Sequence, residues 1–272
     1  EETIISTDEA IYGMTFVGAP FIFSFRLLGT NAGAAGLNTM INIDGNVFWM
    51  GRRNFFSYDG VVKELVCPVQ YYVFDRMQTN MIDKTVVGHN KKFKEITWFY
   101  VSTSNSAGTI NPEPDSYVTY NYVENAWSIG TMDRTVWSDS FGARDVPFAF
   151  DPDGLLYNHE TGTSDNGSAM SSYIESSPRE ITQNGENLFM VDRVIPDVTM
   201  TSDTNLYFNL NSRKYPNATE VVKGPFTITS TTQKVSTRAK GRQIAMKIYS
   251  TGTTDEWSIG DFRINAREDS LR

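Results

Sequence analysis

The sequence predicts an all-β protein in which propeller-like blades are followed by a β-sandwich-like C-terminal unit. Three observations predict this fold class. Apolar and polar residues alternate along most segments, and no stretch keeps the periodicity of an amphipathic helix over three turns. Asp-Gly and Asn-Gly pairs separate these segments, as in β-hairpins. An aromatic strand pattern recurs about every 50 residues, a period typical of four-stranded propeller blades.

The aromatic pattern lies in the first part of the chain. Its first instance covers residues 46–65, and its second covers residues 95–102 and resumes at residue 116. A weaker third instance covers residues 147–162. Each instance places a short apolar strand with Trp or Phe before a hairpin turn, which is the expected repeat of a blade.

Tryptophans mark the predicted contacts between blades. Trp49, Trp98 and Trp127 lie in the aromatic strands, and we expect them to be core struts rather than ligand platforms. The tetrapeptide Trp-Ser-Ile-Gly occurs at residues 127–130 and again at residues 257–260. We predict the same local structure for both copies, a strand that ends with a Trp covering the core and a glycine in the following turn.

The pattern changes near residues 178–196, where two prolines frame a transition to longer alternating strands. We therefore predict blades over residues 1–190 and a β-sandwich-like unit over residues 191–272. A period of about 50 residues leaves room for three to four blades, whereas closed propellers have about four to eight. The set of blades is expected to be incomplete, with earlier blades upstream of Glu1.

Composition excludes several classes of protein. The chain has 272 residues, a net charge of −8 and 40% hydrophobic residues, so it can bury a core but does not have the basic balance of a protein that grips phosphates. The charge still allows an acidic protein past which nucleic acid slides.

Cys67 is the single cysteine, so no internal disulfide can form, and a buried thiol is expected there. No apolar run is long enough to span a membrane.

Candidate catalytic groups are few. His89 and His159 are the two histidines, and neither has the spacing of a zinc motif or a placed partner for Cys67. The segment Asp151–Gly154 fits a hairpin turn better than a calcium loop, because the further oxygen ligands do not follow. We therefore predict no enzymatic activity, no cofactor and no metal site.

Two groups of residues with basic side chains allow more than one interpretation. Arg134 and Trp137 follow the first Trp-Ser-Ile-Gly segment, and could form a strut between blades or a clamp for a carboxylate or ring. Arg238, Lys240 and Arg242 form a short cluster that suits either a solvated or subunit-contact face, or a phosphate contact.

Seven segments in fixed order resemble tail proteins of short-tailed and related bacteriophages, described as packaged-DNA stabilisation, tail hub or nozzle proteins. The segments are WMGRRNFFSYDG (49–60), EITWFYVSTSNS (95–106), YVTYNYVENAWSIGTMDRTVW (117–137), GLLYNHETG (154–162), RVIPDVTM (193–200), GPFTITSTTQKVSTRAKGRQIAMKIYS (224–250) and EWSIGDFRINARED (256–269). The resemblance extends from about residue 46 to the C-terminus.

The resemblance implies a structural virion protein located in the phage tail. It implies a ring of identical subunits, commonly a hexamer, that contacts the tail adaptor or portal-proximal proteins, with tail fibre or tip proteins as further partners. Such a ring retains packaged DNA and forms the conduit for its ejection, without sequence specificity and without a membrane partner. Two alternatives from other classes stay open: a carbohydrate-binding or glycosidase-type β-propeller, and a generic interaction propeller of a cellular protein.

Overall fold

A computed structural model describes residues 2–103, 113–181 and 187–269. The chain divides into two compact units, unit 1 over residues 1–161 and unit 2 over residues 162–272. The all-β prediction is confirmed, because strands make up 52% of the described residues and helices 6%.

Unit 1 contains four antiparallel sheets, each built from strands that follow one another along the chain. The first sheet has three strands, β1 (Glu2–Ser6), β2 (Ala10–Phe16) and β3 (Phe23–Thr30). The second has four, β4 (Met40–Ile43), β5 (Asn46–Met50), β6 (Phe55–Tyr58) and β7 (Val62–Leu65). The third has four, β8 (Val86–Asn90), β9 (Glu95–Tyr100), β10 (Ser116–Asn121) and β11 (Ala126–Thr131). The fourth has three, β12 (Val136–Ser138), β13 (Phe148–Phe150) and β14 (Leu156–Asn158). Each sheet is a meander, the chain path of a propeller blade.

The first and second sheets pack face to face. Because side chains alternate across a strand, the second sheet presents two apolar faces. One face directs Trp49 and Phe56 against the first sheet, where they join Ile11 in a buried cluster. The rings of Trp49 and Phe56 stack with centroids 5.5 Å apart.

The opposite face of the second sheet packs on the third sheet. Phe55 lies 5.1 Å from Trp98 between ring centroids, and both side chains are fully buried. The third sheet in turn contacts the fourth, because Phe99 stacks on Trp137 with ring centroids 5.8 Å apart. The first strands β4, β8 and β12 approach each other in series. The four sheets therefore stack in chain order, as blades do.

Two short helices connect the second and third sheets, α1 over Gln70–Arg76 and a 3-10 helix over Thr79–Lys84. Val73 of α1 is fully buried, and it joins Cys67 and Met77 in the cluster between these two sheets. Phe74 of α1 and Ile82 of the 3-10 helix also pack against this cluster.

Unit 2 has two principal sheets around one core. One sheet contains β15 (Ser172–Glu175), β16 (Arg179–Glu180), β19 (Leu206–Arg213), β20 (Val221–Ile228) and β22 (Gln243–Ser250). The other contains β17 (Leu188–Ile195), β21 (Val235–Gly241) and β24 (Arg263–Asp269), and β18 (Val198–Met200) pairs separately with β23 (Trp257–Ile259). Phe208 of the larger sheet and Val191 of the smaller one share a single buried cluster. Unit 2 is thus sandwich-like, as predicted.

The division between the units falls at residues 161 and 162, earlier than the expected position between residues 190 and 191. The reason lies in strand pairing. β15 and β16 both precede residue 190, yet both pair with β22 of unit 2. Their short, exposed sequences carry too little periodicity to reveal a partner that lies about 70 residues further on.

The two Trp-Ser-Ile-Gly segments adopt related structures, although not the predicted one. Trp127 lies near the start of β11, and Trp257 starts β23, so neither indole closes a strand. Gly130 is inside β11, where the ring of Tyr117 occupies the space that a side chain would need. Both tryptophans are half-buried and pack on the core cluster of their own unit.

Candidate functional site

The junction between the third and fourth sheets of unit 1 brings both histidines of the chain to one tryptophan. The indole N–H of Trp137 donates a hydrogen bond of 2.9 Å to the backbone carbonyl of His89. The ring of Trp137 lies 4.6 Å from the ring of His159 between centroids. We call His89, Arg134, Trp137, Tyr157 and His159 the junction cluster.

A glycine makes the close approach of Trp137 possible. Gly88 precedes His89 on β8, and a Cβ placed on it would lie 2.5 Å from Cγ of Trp137. No side chain fits at that distance, so the indole rests directly on the backbone of β8. Trp137 is therefore a strut between two sheets.

Arg134 is buried beside the fourth sheet. Its Nε–H donates to Nε2 of His159 at 3.0 Å, and its guanidinium carbon lies 4.5 Å from the centroid of the Tyr157 ring. Since Nε2 of His159 accepts this bond, a neutral His159 carries its proton on Nδ1. Arg134 thus braces the fourth sheet, because these partners belong to β14 and the residue that follows it.

His89 lies on the other side of Trp137. Its Nδ1 is 3.6 Å from Oδ2 of Asp139, and its Nε2 is 3.3 Å from the hydroxyl of Tyr122. Burial lowers the pKa of His89 below its ordinary value, and this effect outweighs the nearby carboxylate of Asp139. His89 is therefore a neutral ring with two polar neighbours.

Two carboxylates lie close to the junction cluster. Burial raises the pKa of Glu95 above its ordinary value, and repulsion from Glu160 raises it further. Burial also raises the pKa of Glu160, while Lys92 and a 2.8 Å hydrogen bond from Asn90 lower it. Glu160 has a backbone φ of +59°, a conformation that a glutamate rarely adopts. No local sequence pattern indicates this pair, because its members are 65 positions apart.

The remaining reactive groups do not join this junction. Cys67 lies in the cluster between the second and third sheets, and burial raises the pKa of its thiol to about 11. A thiol with that pKa is not a nucleophile near neutral pH. Among residues 2–103, 113–181 and 187–269, no group of three or more His, Cys, Asp or Glu side chains is placed to hold a metal ion.

The three tryptophans predicted as core struts all lie at contacts between sheets. Trp49 and Trp98 are fully buried, and their indole N–H groups donate to the carbonyls of Ala32 and Thr39. Trp127 is half-buried, lies 4.7 Å from the Phe55 ring between centroids and donates to the carbonyl of Val66. Each indole therefore fixes a connecting segment as well as filling space.

The predicted basic cluster separates into two places. Arg238 and Lys240 point outward from β21, because Ala239 between them is fully buried in the core. Lys240 makes an ion pair of 2.8 Å with Asp269 of β24. Arg242 lies in the turn after β21, where its backbone N–H donates to the carbonyl of Arg213 in the other principal sheet.

Arg238 and Lys240 belong to a larger basic surface, the outward face of the β21–β17–β24 sheet. Alternation along the three strands places five exposed cations on this face. They are Arg193, Arg238, Lys240, Arg263 and Arg267. Asp192 and Asp269 share the face, and Asp192 accepts a 2.8 Å hydrogen bond from Asn265.

Charge is distributed unequally between the units. Unit 1 has 11 Lys and Arg against 19 Asp and Glu, which accounts for the whole net charge of −8. Unit 2 has 13 of each and is neutral. The basic face of unit 2 is thus a local concentration within a neutral unit.

No helix in the part of the chain that the structure describes is long and apolar enough to cross a bilayer. The chain matches no protein-family model and no curated protein. Among solved structures, it is similar to an exo-β-1,3-galactanase from Phanerochaete chrysosporium, with 9% identity over 97% of this chain and 68% of that chain. The TM-score is 0.18, and a likeness this weak supports no inference about function.

Proposed function

We propose that the chain is a structural, non-enzymatic protein of a bacteriophage tail, a subunit of a hub or nozzle ring that retains packaged DNA and forms the conduit for its ejection. The ordered set of seven sequence segments that resemble this family motivates the proposal. The observation that carries it is the charge distribution, because unit 1 holds the whole net charge of −8 in a stack of blade-like sheets.

An acidic stack suits a passage for DNA. Phosphates are repelled by a surface of the same sign, so DNA passes without being held by Lys and Arg contacts. Neutral unit 2 carries five exposed cations on one sheet face, which suits contacts with acidic protein surfaces. In this proposal unit 1 borders the DNA, and the basic face of unit 2 contacts neighbouring subunits.

The environment of the junction cluster supports a structural role. Arg134 donates to His159, Trp137 donates to the backbone carbonyl of His89, and the rings of Trp137 and His159 are in contact, so these residues brace two sheets against each other. In this proposal the chain forms a ring of identical subunits, as a hexamer. The ring contacts adaptor or portal-proximal proteins on one side and fibre or tip proteins on the other. The location is the virion tail, with no membrane partner.

Particles that lack this protein test the proposed role. They should package DNA but leak it, or fail to deliver it, because the conduit is incomplete. The measurement is nuclease-accessible DNA in purified particles, together with the fraction that injects DNA into host cells. Particles that retain and deliver DNA at the normal level would refute the conduit role.

Glu95 and Glu160 favour a second candidate, a carbohydrate-active β-propeller. Two carboxyl groups with raised pKa values beside aromatic residues have the chemistry of a general acid and its partner in glycoside hydrolysis. If this candidate holds, the protein hydrolyses polysaccharides in a saturable manner, and Glu95→Gln and Glu160→Gln each abolish the reaction. Glu124→Gln, at an exposed hairpin position, is the control. Absence of hydrolysis across a panel of host polysaccharides eliminates the candidate.

A further inference from the structure

The basic face of unit 2, formed by the outward side chains of the β21–β17–β24 sheet, has aliphatic residues at its centre. Met190 on the central strand β17 lies between Lys240 of β21 and Arg267 of β24. Ile195 of β17 is 38% exposed and lies opposite Arg263. An aliphatic centre with charged groups around it is the composition of a protein–protein interface. The strand register therefore marks this face as an interaction surface.

The basic face has a net charge of +3. Its five cations are accompanied by two carboxylates, those of Asp192 and Asp269. Lys240 is paired with Asp269, but within residues 2–103, 113–181 and 187–269 the four arginines of the face make no ion pair. A guanidinium group binds a carboxylate through two parallel hydrogen bonds. The four arginines are thus donors for an acidic partner.

Two features of this face favour the carboxylates of a protein over the phosphates of a nucleic acid. Asp192 and Asp269 would lie against a phosphate backbone and repel it, whereas a protein surface can place hydrogen-bond donors opposite them. Met190 and Ile195 present aliphatic surface, whereas phosphates are contacted by basic and polar groups. The partner that fits this face is an acidic protein surface that includes an aliphatic residue.

One end of the strands in unit 1 carries such a surface. The connection over residues 31–39 is hydrogen-bonded to the β1–β2 turn and to the start of β8, so the first three sheets share this end. Met132 before β12 donates from its backbone N–H to the carbonyl of Asp115 before β10, so the fourth sheet shares it too. Neighbouring strands are antiparallel, which places α1, the 3-10 helix and the β13–β14 turn there as well. Six exposed carboxylates lie in the connections at this end, which we call the acidic end. They are Asp8, Glu9, Asp75, Asp83, Asp133 and Asp153.

The acidic end has a charge opposite to that of the basic face, together with an aliphatic residue. Among the described residues of these connections, the exposed cations are Arg52, Arg53 and Arg76, which leaves an exposed charge of −3. Leu37 is 98% exposed, and the glycine before it packs against the backbone of Asp83. By contrast, the β8–β9 turn at the opposite end carries three exposed lysines. The exposed acidic surplus of unit 1 is thus greater at the acidic end, with Leu37 beside it.

We propose that the basic face of unit 2 in one copy of this chain binds the acidic end of unit 1 in a second copy. The two surfaces have opposite charges of equal size, and Leu37 supplies an aliphatic side chain for the centre formed by Met190 and Ile195. Each copy offers one surface of each kind, so the contact is heterologous and can repeat from copy to copy. Repetition through a closing rotation gives a ring. The contact names the surfaces that join the ring of the proposed function, and it rests on that proposal for its partner.

Charge reversal on either surface tests the contact. We expect the wild-type chain to sediment above its mass of 30.6 kDa at about 50 mM salt, and to dissociate as salt rises toward about 500 mM, because surface charges are then screened. Arg193→Glu combined with Arg267→Glu makes the basic face acidic, and Glu9→Lys combined with Asp83→Lys makes the acidic end basic. Each double variant should weaken self-association by at least about tenfold, because surfaces of the same sign then meet.

Matched controls carry the same change in net charge elsewhere. Lys214→Glu combined with Lys223→Glu alters β20 and the loop before it, and Glu124→Lys combined with Asp145→Lys alters the opposite end of unit 1. All four positions are exposed, and these variants should associate as the wild type does. Circular dichroism verifies that every variant keeps its strands. A control that weakens association as much as its counterpart would overturn the proposal, since net charge and not the two surfaces would then govern association.

Mixing the two double variants tests whether these surfaces meet each other. The basic-face variant keeps a wild-type acidic end, and the acidic-end variant keeps a wild-type basic face. The equimolar mixture therefore has one intact contact, and it should form 1:1 pairs more tightly than either variant associates alone. A mixture that associates no better than its components would contradict the contact.

A wild-type chain that is monomeric at about 50 mM salt, where surface charges are only weakly screened, would also overturn the proposal. If that monomer binds duplex DNA and the basic-face variant does not, the face serves phosphates instead. Failure here is separable from failure of the proposed function, because sedimentation reports on the purified chain and particles that lack the protein report on DNA retention. Association through these surfaces alongside normal DNA retention would leave the contact standing and remove the conduit role.

Discussion

Unit 1 and unit 2 are both all-β, yet they bury their cores in different ways. Unit 1 distributes its core over successive contacts between sheets, with Trp49, Trp98 and Trp137 each at a contact. Unit 2 gathers its core into one cluster between two sheets, filled by residues such as Phe208 and Val191. Each contact in unit 1 thus has an indole between two sheets, whereas the core of unit 2 interleaves aromatic and aliphatic side chains from two facing sheets.

The two units also differ in charge, and the charged surfaces are distinct from the contacts that stabilise the fold. The acidic surplus lies entirely in unit 1, while five exposed cations of unit 2 share one sheet face. Neither feature is needed to form a core. We therefore expect substitutions at the sheet contacts to affect folding and substitutions at the charged surfaces to affect association.

The largest effect is expected at a contact between sheets. Trp98→Ala removes a fully buried indole and its hydrogen bond to Thr39, and should lower the free energy of unfolding by about 3–5 kcal/mol. Denaturant titration measures the loss, and hydrogen exchange locates it. Protection should fall in unit 1 and persist in β19 of unit 2. Trp257→Ala, at a half-buried position, should cost less; an equal loss for both would contradict the comparison.

A smaller effect is expected where Trp137 meets the backbone. Gly88→Ala places a methyl group 2.5 Å from the indole Cγ, so the ring or the strand must move, at a cost of about 1–3 kcal/mol. The measurement is the denaturation midpoint of Gly88→Ala alone and combined with Trp137→Leu. The smaller side chain should relieve the clash, so the second substitution should cost less in the Gly88→Ala background than in the wild type. Independent, additive losses would show that the contact does not restrict this position.

Replacing a buried carboxylate of unit 1 should stabilise the fold, in contrast to the two substitutions above, and the gain should depend on pH. Because the folded state raises the pKa of Glu95, it binds this proton more tightly than the unfolded state does. Stability from this group is therefore highest below the ordinary pKa of 4.5 and falls as pH rises through the folded pKa. Glu95→Gln should raise the melting temperature at pH 7 by no more than about 2–4 °C.

The gain from Glu95→Gln should shrink as pH falls toward 4.5. Thermal scans at pH 4.5 and pH 7 provide the measurement. Glu124→Gln, on an exposed hairpin, should give no gain at either pH. A destabilised Glu95→Gln variant at pH 7 would show that the carboxylate makes a favourable contact that outweighs its burial.

The smallest effect is expected on the basic face of unit 2. Lys240→Ala removes an ion pair with Asp269 whose side chains are 40% and 36% exposed, so it should cost less than about 1 kcal/mol. Chemical denaturation at low and high salt measures this cost. A loss above about 2 kcal/mol would place Lys240 in the folding core and contradict a purely external role.

Much of the local structure in both units follows from patterns within short sequence windows. Leu206, Phe208 and Leu210 occupy alternate positions of β19, and all three side chains are fully buried, as expected from the alternation of apolar and polar residues. Asp44 and Gly45 predicted a hairpin turn, and both residues have the positive φ that such a turn requires. These features depend on neighbouring residues and on a two-residue period, so a sequence window contains all the necessary information.

Tertiary structure alone decided which distant residues meet. His89 and His159 are 70 positions apart yet share Trp137, and β15 pairs with β22 across 72 to 78 positions. Neither the boundary between the units nor the carboxylate pair of Glu95 and Glu160 follows from a local pattern. Many strands have compatible alternation, and the choice among them depends on the burial of whole sheet faces, which is a property of the assembled sheets rather than of any one segment.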